Sequence, residues 1–160
     1  MNHNKLGAIG AILDEYSKAI IELQQVIQNI SSTDLVTIVD TTTTNTDCKS
    51  VQTVLTHVVS SGYSYAIYIE ELKNTPSRIR QKSPRNSASE YIQDLDQVLV
   101  FTTAIFSNFE DHELEELHEV KKIKTTWGQF YDIEQLMEHA IVHILRHRRQ
   151  IEKFKILLQK

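Results

Sequence analysis

The chain has 160 residues, a length that suits one domain (1–160) with a sizeable buried core. Its 17 Lys and Arg stand against 21 Asp and Glu, for a formal net charge of −4 at pH 7 with His neutral. That balance argues against a nucleic-acid partner, which needs a basic face. Four Gly and two Pro give little turn punctuation, so a few long helices are favoured over many short strands.

Compartment signals in the sequence point to the cytoplasm. The single cysteine, Cys48, excludes an internal disulfide and fits a reducing compartment. No apolar run approaches the roughly 20 residues that span a bilayer, so no membrane association is expected. The first five residues lack the apolar core and small-residue cleavage site of a signal peptide. We therefore expect a cytoplasmic protein.

Apolar residues recur three and four positions apart in four segments, and this period predicts four helices. The first covers residues 5–29. The second covers 48–73, with Asp47 as its N-cap and Gly62 at a bundle-facing position, where a glycine permits close approach of a neighbour. The third opens at Ser87, which with Glu90 has the form of a capping box, and the fourth covers 132–160 and opens on a similar box.

Three connections separate the predicted helices. Residues 31–49 are polar and without apolar period, which predicts a loop, and residues 74–86 read as an exposed crossover. The connection 110–131 is longer than a bundle loop needs to be, and both a lid and an inert segment fit it. Four helices with long connections indicate an all-α, four-helix bundle with crossover topology.

The fourth helix carries histidines on its core-facing side. Its apolar stripe is interrupted at one position by His147, and His143 lies one turn earlier. A neutral imidazole has a donor and an acceptor, and burying it unpaired costs about 1–3 kcal/mol. Two histidines four residues apart on a helix can hold one metal ion, and a third from another helix would leave an open position for substrate. The residues of the stripe are Ile133, Met137, Ala140, Ile144, His147, Ile151, Phe154 and Leu158.

His139 extends the series, because 139, 143 and 147 are spaced four apart. The outer two are roughly 12 Å apart along the helix axis, so one ion cannot bind all three. His147 is nearest the middle of the stripe and His139 furthest from it, so geometry prefers His143 and His147 as the pair. His57 borders the stripe of the second helix. The other three histidines, His3, His112 and His118, are expected at the surface.

At these residues the chain resembles the DinB/YfiT-like superfamily of metal-dependent enzymes, and the resemblance covers nearly its whole length. That superfamily commonly has a histidine in the second helix, here His57, and a HxxxH pair in the fourth, here His143 and His147. An Arg-x-Gln-Ile-like tail follows the pair, here residues 148–151, and it fixes His147 as the second member. A small residue commonly follows the arginine, and here it is Arg149.

The resemblance implies an up-down-down-up bundle and a divalent ion, zinc, nickel, iron or manganese, on His57, His143 and His147. The superfamily is similar to low-molecular-weight thiol transferases, such as bacillithiol transferases and mycothiol-dependent isomerases. The resemblance also implies a small-molecule substrate, a thiol or water as nucleophile, and a homodimer. The alternative is a non-catalytic bundle that binds a metal or small ligand and dimerises.

Supporting residues are less well defined by the sequence. Candidates for groups behind the metal ligands are Gln150, Glu138 and Tyr63. A basic cluster follows or surrounds the histidine pair, and two interpretations are open, complementing the dipole at the helix C-terminus or binding a phosphate or substrate. Its members are Arg146, Arg148, Arg149, Lys153 and Lys155.

Overall fold

The structure is a computed structural model that describes residues 6–159. Five α-helices occur in this part of the chain, four long and one short, together with one two-stranded hairpin. None of the helices in residues 6–159 is long and apolar enough to cross a membrane. The elements are α1 (Gly7–Ile27), α2 (Ser32–Val36), α3 (Val51–Glu71), α4 (Ala88–Phe106), β1 (Ile123–Lys124), β2 (Phe130–Tyr131) and α5 (Ile133–Leu158).

The four long helices surround one hydrophobic core. α1 and α5 run in the same direction, because Glu22 pairs with Arg148 and, further along both helices, Lys155 donates to the Val26 carbonyl oxygen. α3 runs antiparallel to α5, since His57 lies by His147 near the start of α3 while Tyr65, later in α3, lies by the earlier His139.

α4 has the direction of α3. The Thr56 hydroxyl lies 2.5 Å from that of Tyr91, and about two to three turns further along each helix the rings of Tyr63 and Phe101 are 5.2 Å apart. The order is therefore up, down, down, up for the long helices, which confirms the predicted all-α bundle. Parallel neighbours α3 and α4 require the long crossover between them.

Capping side chains define where three of the long helices begin. Ser50 caps α3 in a reciprocal capping box with Thr53, and Ser87 accepts from the Glu90 backbone N–H at the start of α4. Asp132 forms a full capping box with Gln135 ahead of α5. Each cap satisfies backbone N–H groups that have no partner within the helix. The two capping boxes predicted for α4 and α5 lie where the sequence placed them, although Glu90 reaches back to the Asn86 N–H rather than to that of Ser87.

The predicted bounds need several corrections, one of which is that α3 ends at Glu71 rather than at Lys73. α3 begins at Val51, not Cys48, because Ser50 rather than Asp47 is its N-cap. The segment 31–49 holds the short helix α2 and a 3₁₀ turn at Thr46–Cys48, so it is not all loop. α1 ends at Ile27 and α5 at Leu158, each about one turn or less inside the predicted bound. Lys5 and Lys160, the outer predicted limits, fall outside the described residues.

The long connection before α5 folds back onto the bundle. After α4 it forms two 3₁₀ turns and then the antiparallel hairpin, with Ile123 opposite Tyr131. The Thr126 backbone N–H donates to the Tyr68 hydroxyl of α3 at 3.1 Å. This contact places the hairpin tip, with Trp127, against the α3–α5 side of the bundle.

Candidate metal centre

Three histidines from two helices meet between α3 and α5. His57 lies in the second turn of α3, and His143 and His147 lie one turn apart near the middle of α5. His143 and His147 are 4% and 5% exposed, whereas His57 is half-buried. The antiparallel packing of α3 on α5 therefore supplies the third imidazole that the HxxxH pair lacks.

The ring nitrogens of these histidines converge. His57 Nε2 lies 2.9 Å from His143 Nε2, and one ligand atom from each of the three residues lies within 4.8 Å of the other two. Nitrogen atoms that share one tetrahedral zinc are about 3.3 Å apart, since each Zn–N bond is about 2.0–2.1 Å. The three side chains are thus close enough to hold one metal ion.

Contacts behind the rings define which nitrogen is available. A carboxylate oxygen of Asp47 lies 3.3 Å from His57 Nδ1, and because a carboxylate only accepts, it favours the tautomer with the proton on Nδ1. His147 Nδ1 likewise donates to Gln150 Oε1 at 2.9 Å. In both residues the proton is held on the outer nitrogen, so Nε2 presents its lone pair to the cluster.

One of these lone pairs has no partner among residues 6–159. His147 Nε2 is buried and makes no hydrogen bond there. A buried acceptor left unpaired costs about 1–3 kcal/mol, so native structures rarely keep one without a reason. A divalent ion held by His57, His143 and His147 would remove this cost, and the donor set of three imidazoles suits zinc, nickel and iron. The residues present therefore fit a metal ion.

Burial keeps these imidazoles neutral. Desolvation lowers the pKa of His143 to about 2, with further lowering by His147 and His57, and it also lowers the pKa of His57 and of His147. The neutral form is the one that ligates metal, since the ligating nitrogen must carry no proton. At neutral pH the cluster is therefore ready to bind an ion.

A cavity of about 680 Å³ opens beside the cluster, and His57 and His143 form part of its wall. This volume lies within the usual range for small-molecule sites. The cavity continues along α3 and α5 to the hairpin, and its wall there includes Tyr65, Trp127 and His139. A small molecule in the cavity would therefore reach the side of the histidine cluster.

Each residue predicted for the site has a definite place. His139 stacks on Trp127 at 5.3 Å between ring centroids and stands outside the group of three, as the geometric argument required. Gln150 contacts His147, as expected of a supporting group. Glu138 is exposed and Tyr63 packs on Phe101 and Arg80, so neither supports the cluster.

Asp47 is the supporting residue that sequence reasoning missed. The sequence predicts a helix cap at this position, whereas the Asp47 carboxylate contacts His57 and accepts from Lys82 at 2.5 Å. The interval of ten residues between Asp47 and His57 gave no periodic signal, because a 3₁₀ turn and the Ser50 cap lie between them. His112 and His118 are exposed, as predicted, and His3 lies outside the described residues.

An up-down-down-up bundle with three histidines converging between two of its helices defines a class of all-α proteins that can carry one metal ion inside the bundle. The sequence matches the model of the DinB family over residues 1–154, and the chain therefore belongs to the DinB family. No curated protein matches the sequence.

Proposed function

We propose that the protein is a metal-dependent enzyme that adds a small nucleophile, a low-molecular-weight thiol or water, to an electrophilic small molecule. The observation that carries this proposal is the convergence of three histidines beside a ligand-sized cavity whose wall includes His57 and His143. Three protein ligands leave a coordination position open, which is the arrangement of catalytic rather than structural sites.

His57, His143 and His147 would hold the ion, with Asp47 and Gln150 fixing the orientation of two of the rings. A divalent ion bound there supplies the acidity that lets a thiol or a water lose its proton near neutral pH. The three imidazoles stay neutral and contribute no charge, so they would leave most of the charge of a bound ion available to attract an anionic nucleophile. The cavity wall orients the electrophile and limits the access of competing water.

Of the two reactions, thiol transfer is the first choice, because the superfamily that the chain resembles is similar to low-molecular-weight thiol transferases. The rings of Tyr65 and Trp127 in the cavity wall would support a thiol reaction by limiting the access of bulk water. Hydrolysis is the second choice. If the metal-loaded protein catalyses neither thiol transfer nor hydrolysis, the remaining interpretation is a bundle that binds metal without catalysis.

Metal content tests the proposal first. Protein purified without tag or chelator is analysed by elemental analysis, wild type beside His143→Ala. One equivalent of a transition metal that the variant lacks is the expected result, and thiols are then screened against electrophiles such as an activated haloarene, an epoxide and an unsaturated carbonyl compound. A wild-type chain that neither contains nor takes up metal would contradict the proposal.

Two further expectations accompany this function. We propose that the protein works as a homodimer, as the resemblance to the superfamily implies, and that it acts in the cytoplasm. Light scattering coupled to size exclusion measures the first, and a mass near that of one 18.5 kDa chain would contradict it. Cell fractionation measures the second.

A further inference from the structure

The charge and aromaticity of the cavity wall beside the histidines restrict the class of ligand that the cavity can bind. One side of it is cationic and one side is aromatic. The inference below rests on the proposed function, because it names the substrate class for the same cavity.

The cationic side depends on Arg146. It lies three residues after His143 in α5 and lines the cavity, and among residues 6–159 its exposed guanidinium makes no hydrogen bond or ion pair. The other two cations of the wall are already neutralised, since Lys82 is bonded to Asp47 at 2.5 Å and Arg78 to Glu70 at 2.5 Å. Arg146 is thus the unmatched positive charge of the described wall.

The field of Arg146 extends over the histidine cluster. Its charge contributes to lowering the pKa of His57, His139 and His143. The cavity wall has two carboxylates, Asp47, which is paired with Lys82, and Glu71. Glu71 lies about 21 Å along α3 from His57, at 1.5 Å per residue. It is too distant to neutralise Arg146, so the end of the cavity near the histidines is electropositive.

Metal binding increases this positive charge. The three imidazoles are neutral, and the nearest carboxylate, that of Asp47, already faces Lys82. A divalent ion on the cluster would therefore keep most of its 2+ charge. A guanidinium presents donors in a planar fork that matches a carboxylate, so the combination favours an organic anion of that shape.

The aromatic side lies at the hairpin, whose tip carries Trp127. Trp127 stacks on His139 and meets Tyr65 edge to face at 6.0 Å between ring centroids. Trp127 is 43% exposed although it packs against these rings, and it forms part of the cavity wall. Exposed aromatic faces beside a cavity favour a flat, unsaturated ligand, since stacked rings add about 0.5–1.5 kcal/mol beyond simple burial.

We propose that the cavity binds a planar organic carboxylate, with the carboxylate on Arg146 beside the histidine cluster and the ring against Trp127 and Tyr65. The electrophile on which the enzyme acts would then be an aromatic or conjugated acid. A purely aliphatic or cationic compound fits neither side of the cavity.

Binding of small probes tests this directly, without any turnover. Benzoate, cyclohexanecarboxylate and benzyl alcohol form a matched set of planar anion, non-planar anion and planar neutral compound. Each is titrated by calorimetry into protein supplied with one equivalent of Zn²⁺, and the emission of Trp127, the only tryptophan, is followed in parallel. We expect benzoate to bind about tenfold more tightly than benzyl alcohol and about threefold more tightly than cyclohexanecarboxylate.

Variants separate Arg146 from a metal ion that binds carboxylates by itself. Arg146→Gln should weaken benzoate about tenfold. Arg149→Gln is the matched control, an exposed arginine of the same helix outside the cavity wall, and it should leave the affinity unchanged. Equal affinity for benzoate and benzyl alcohol, or an Arg146→Gln variant that binds benzoate as the wild type does, would overturn the inference.

The same samples distinguish this inference from the proposed function. If zinc is retained and benzoate fails to bind, the metal centre stands and the ligand class is wrong. If zinc is not retained, the proposed function fails, and the titration then tests the cavity alone. Benzoate binding that still depends on Arg146 would support the ligand class, whereas its absence would overturn it.

Discussion

Removing the Asp47 carboxylate should weaken metal binding although Asp47 is not a ligand. Its oxygen lies 3.3 Å from His57 Nδ1, on the side of the ring opposite the Nε2 that faces His143 at 2.9 Å. Asp47→Ala leaves the Nδ1 proton without this acceptor. The ring is then free to rotate and to adopt the other tautomer, in which Nε2 carries the proton and cannot ligate.

The magnitude follows from the geometry of this contact. Loss of a group behind a metal ligand costs about 10–100-fold in affinity. The contact at Asp47 is long, both side chains are about one-quarter exposed, and Lys82 shares the carboxylate, so the lower end applies. We expect about tenfold weaker binding in Asp47→Ala, which is about 1.4 kcal/mol. Asp47→Asn keeps an acceptor without the charge and should lose about threefold.

Lys82 offers a test with the opposite sign. Lys82→Met removes the cation that shares Asp47, so the carboxylate acts on His57 alone and the His57 ring becomes a better ligand. We expect affinity equal to or slightly above that of the wild type, by about twofold at most. A decrease as large as that of Asp47→Ala would mean that the Lys82–Asp47 pair acts by holding the 3₁₀ turn in place.

The assay is a Zn²⁺ titration in competition with a chromophoric chelator, at fixed pH above neutrality. Thermal unfolding of the metal-free proteins is the control, since a variant that fails to fold would also fail to bind. If folded Asp47→Ala binds zinc with wild-type affinity, the contact at Nδ1 does not orient His57 and the reasoning is refuted.

Three further results are expected. Gln150→Ala should weaken Zn²⁺ binding about threefold to tenfold in the same competition assay, because the His147 Nδ1 proton loses its acceptor. Glu138→Ala, at an exposed residue, is the control and should leave Zn²⁺ affinity unchanged; equal affinities of the two variants would contradict this prediction. Gly62→Ala should destabilise the fold by about 1–2 kcal/mol in urea unfolding, because the added Cβ would lie 2.7 Å from Val98 Cγ1, and an unchanged midpoint would refute the tight α3–α4 contact. Below about pH 6.5 the metal-free protein should lose stability by up to about 1.4 kcal/mol per pH unit for each site histidine that stays neutral. Stability falls with falling pH because burial lowers the folded-state pKa of His57, His143 and His147, so the unfolded chain binds more protons. A denaturation midpoint that does not change between about pH 6.5 and 5.5, measured with a chelator present, would contradict this prediction.

The sequence predicts the four long helices best, because their apolar residues recur at a regular spacing. The three-four period located four helices, because burying one face of a helix imposes that spacing on the whole of its length. The position of His147 in the α5 stripe was readable for the same reason, and it is 5% exposed. His57 completes the cluster from 86 positions before His143, and helix packing brings the two together, which no local period encodes. His57 was therefore placed by resemblance rather than by its spacing.

Irregular segments gave the least reliable predictions. The hairpin that carries Trp127 to His139 lies in a connection whose sequence has no strong alternation, and its strands have two residues each. Such short strands form because the tip docks on Tyr68 and α5, not because of intrinsic preference. The sequence therefore does not predict that Trp127, Tyr65 and His139 form one aromatic wall of the cavity.

The role of Asp47 shows how a local rule and the site compete for one side chain. Asp is a good N-cap, and a helix that began at Cys48 would have used Asp47 for its first free N–H groups. Ser50 forms the cap instead, in a box with Thr53, and this shifts the start of α3 by three residues. The shift leaves the Asp47 carboxylate outside the helix and free to reach His57. The capping choice at Ser50 is thus part of how the candidate metal centre is built, because a carboxylate committed to capping could not also hold the His57 ring.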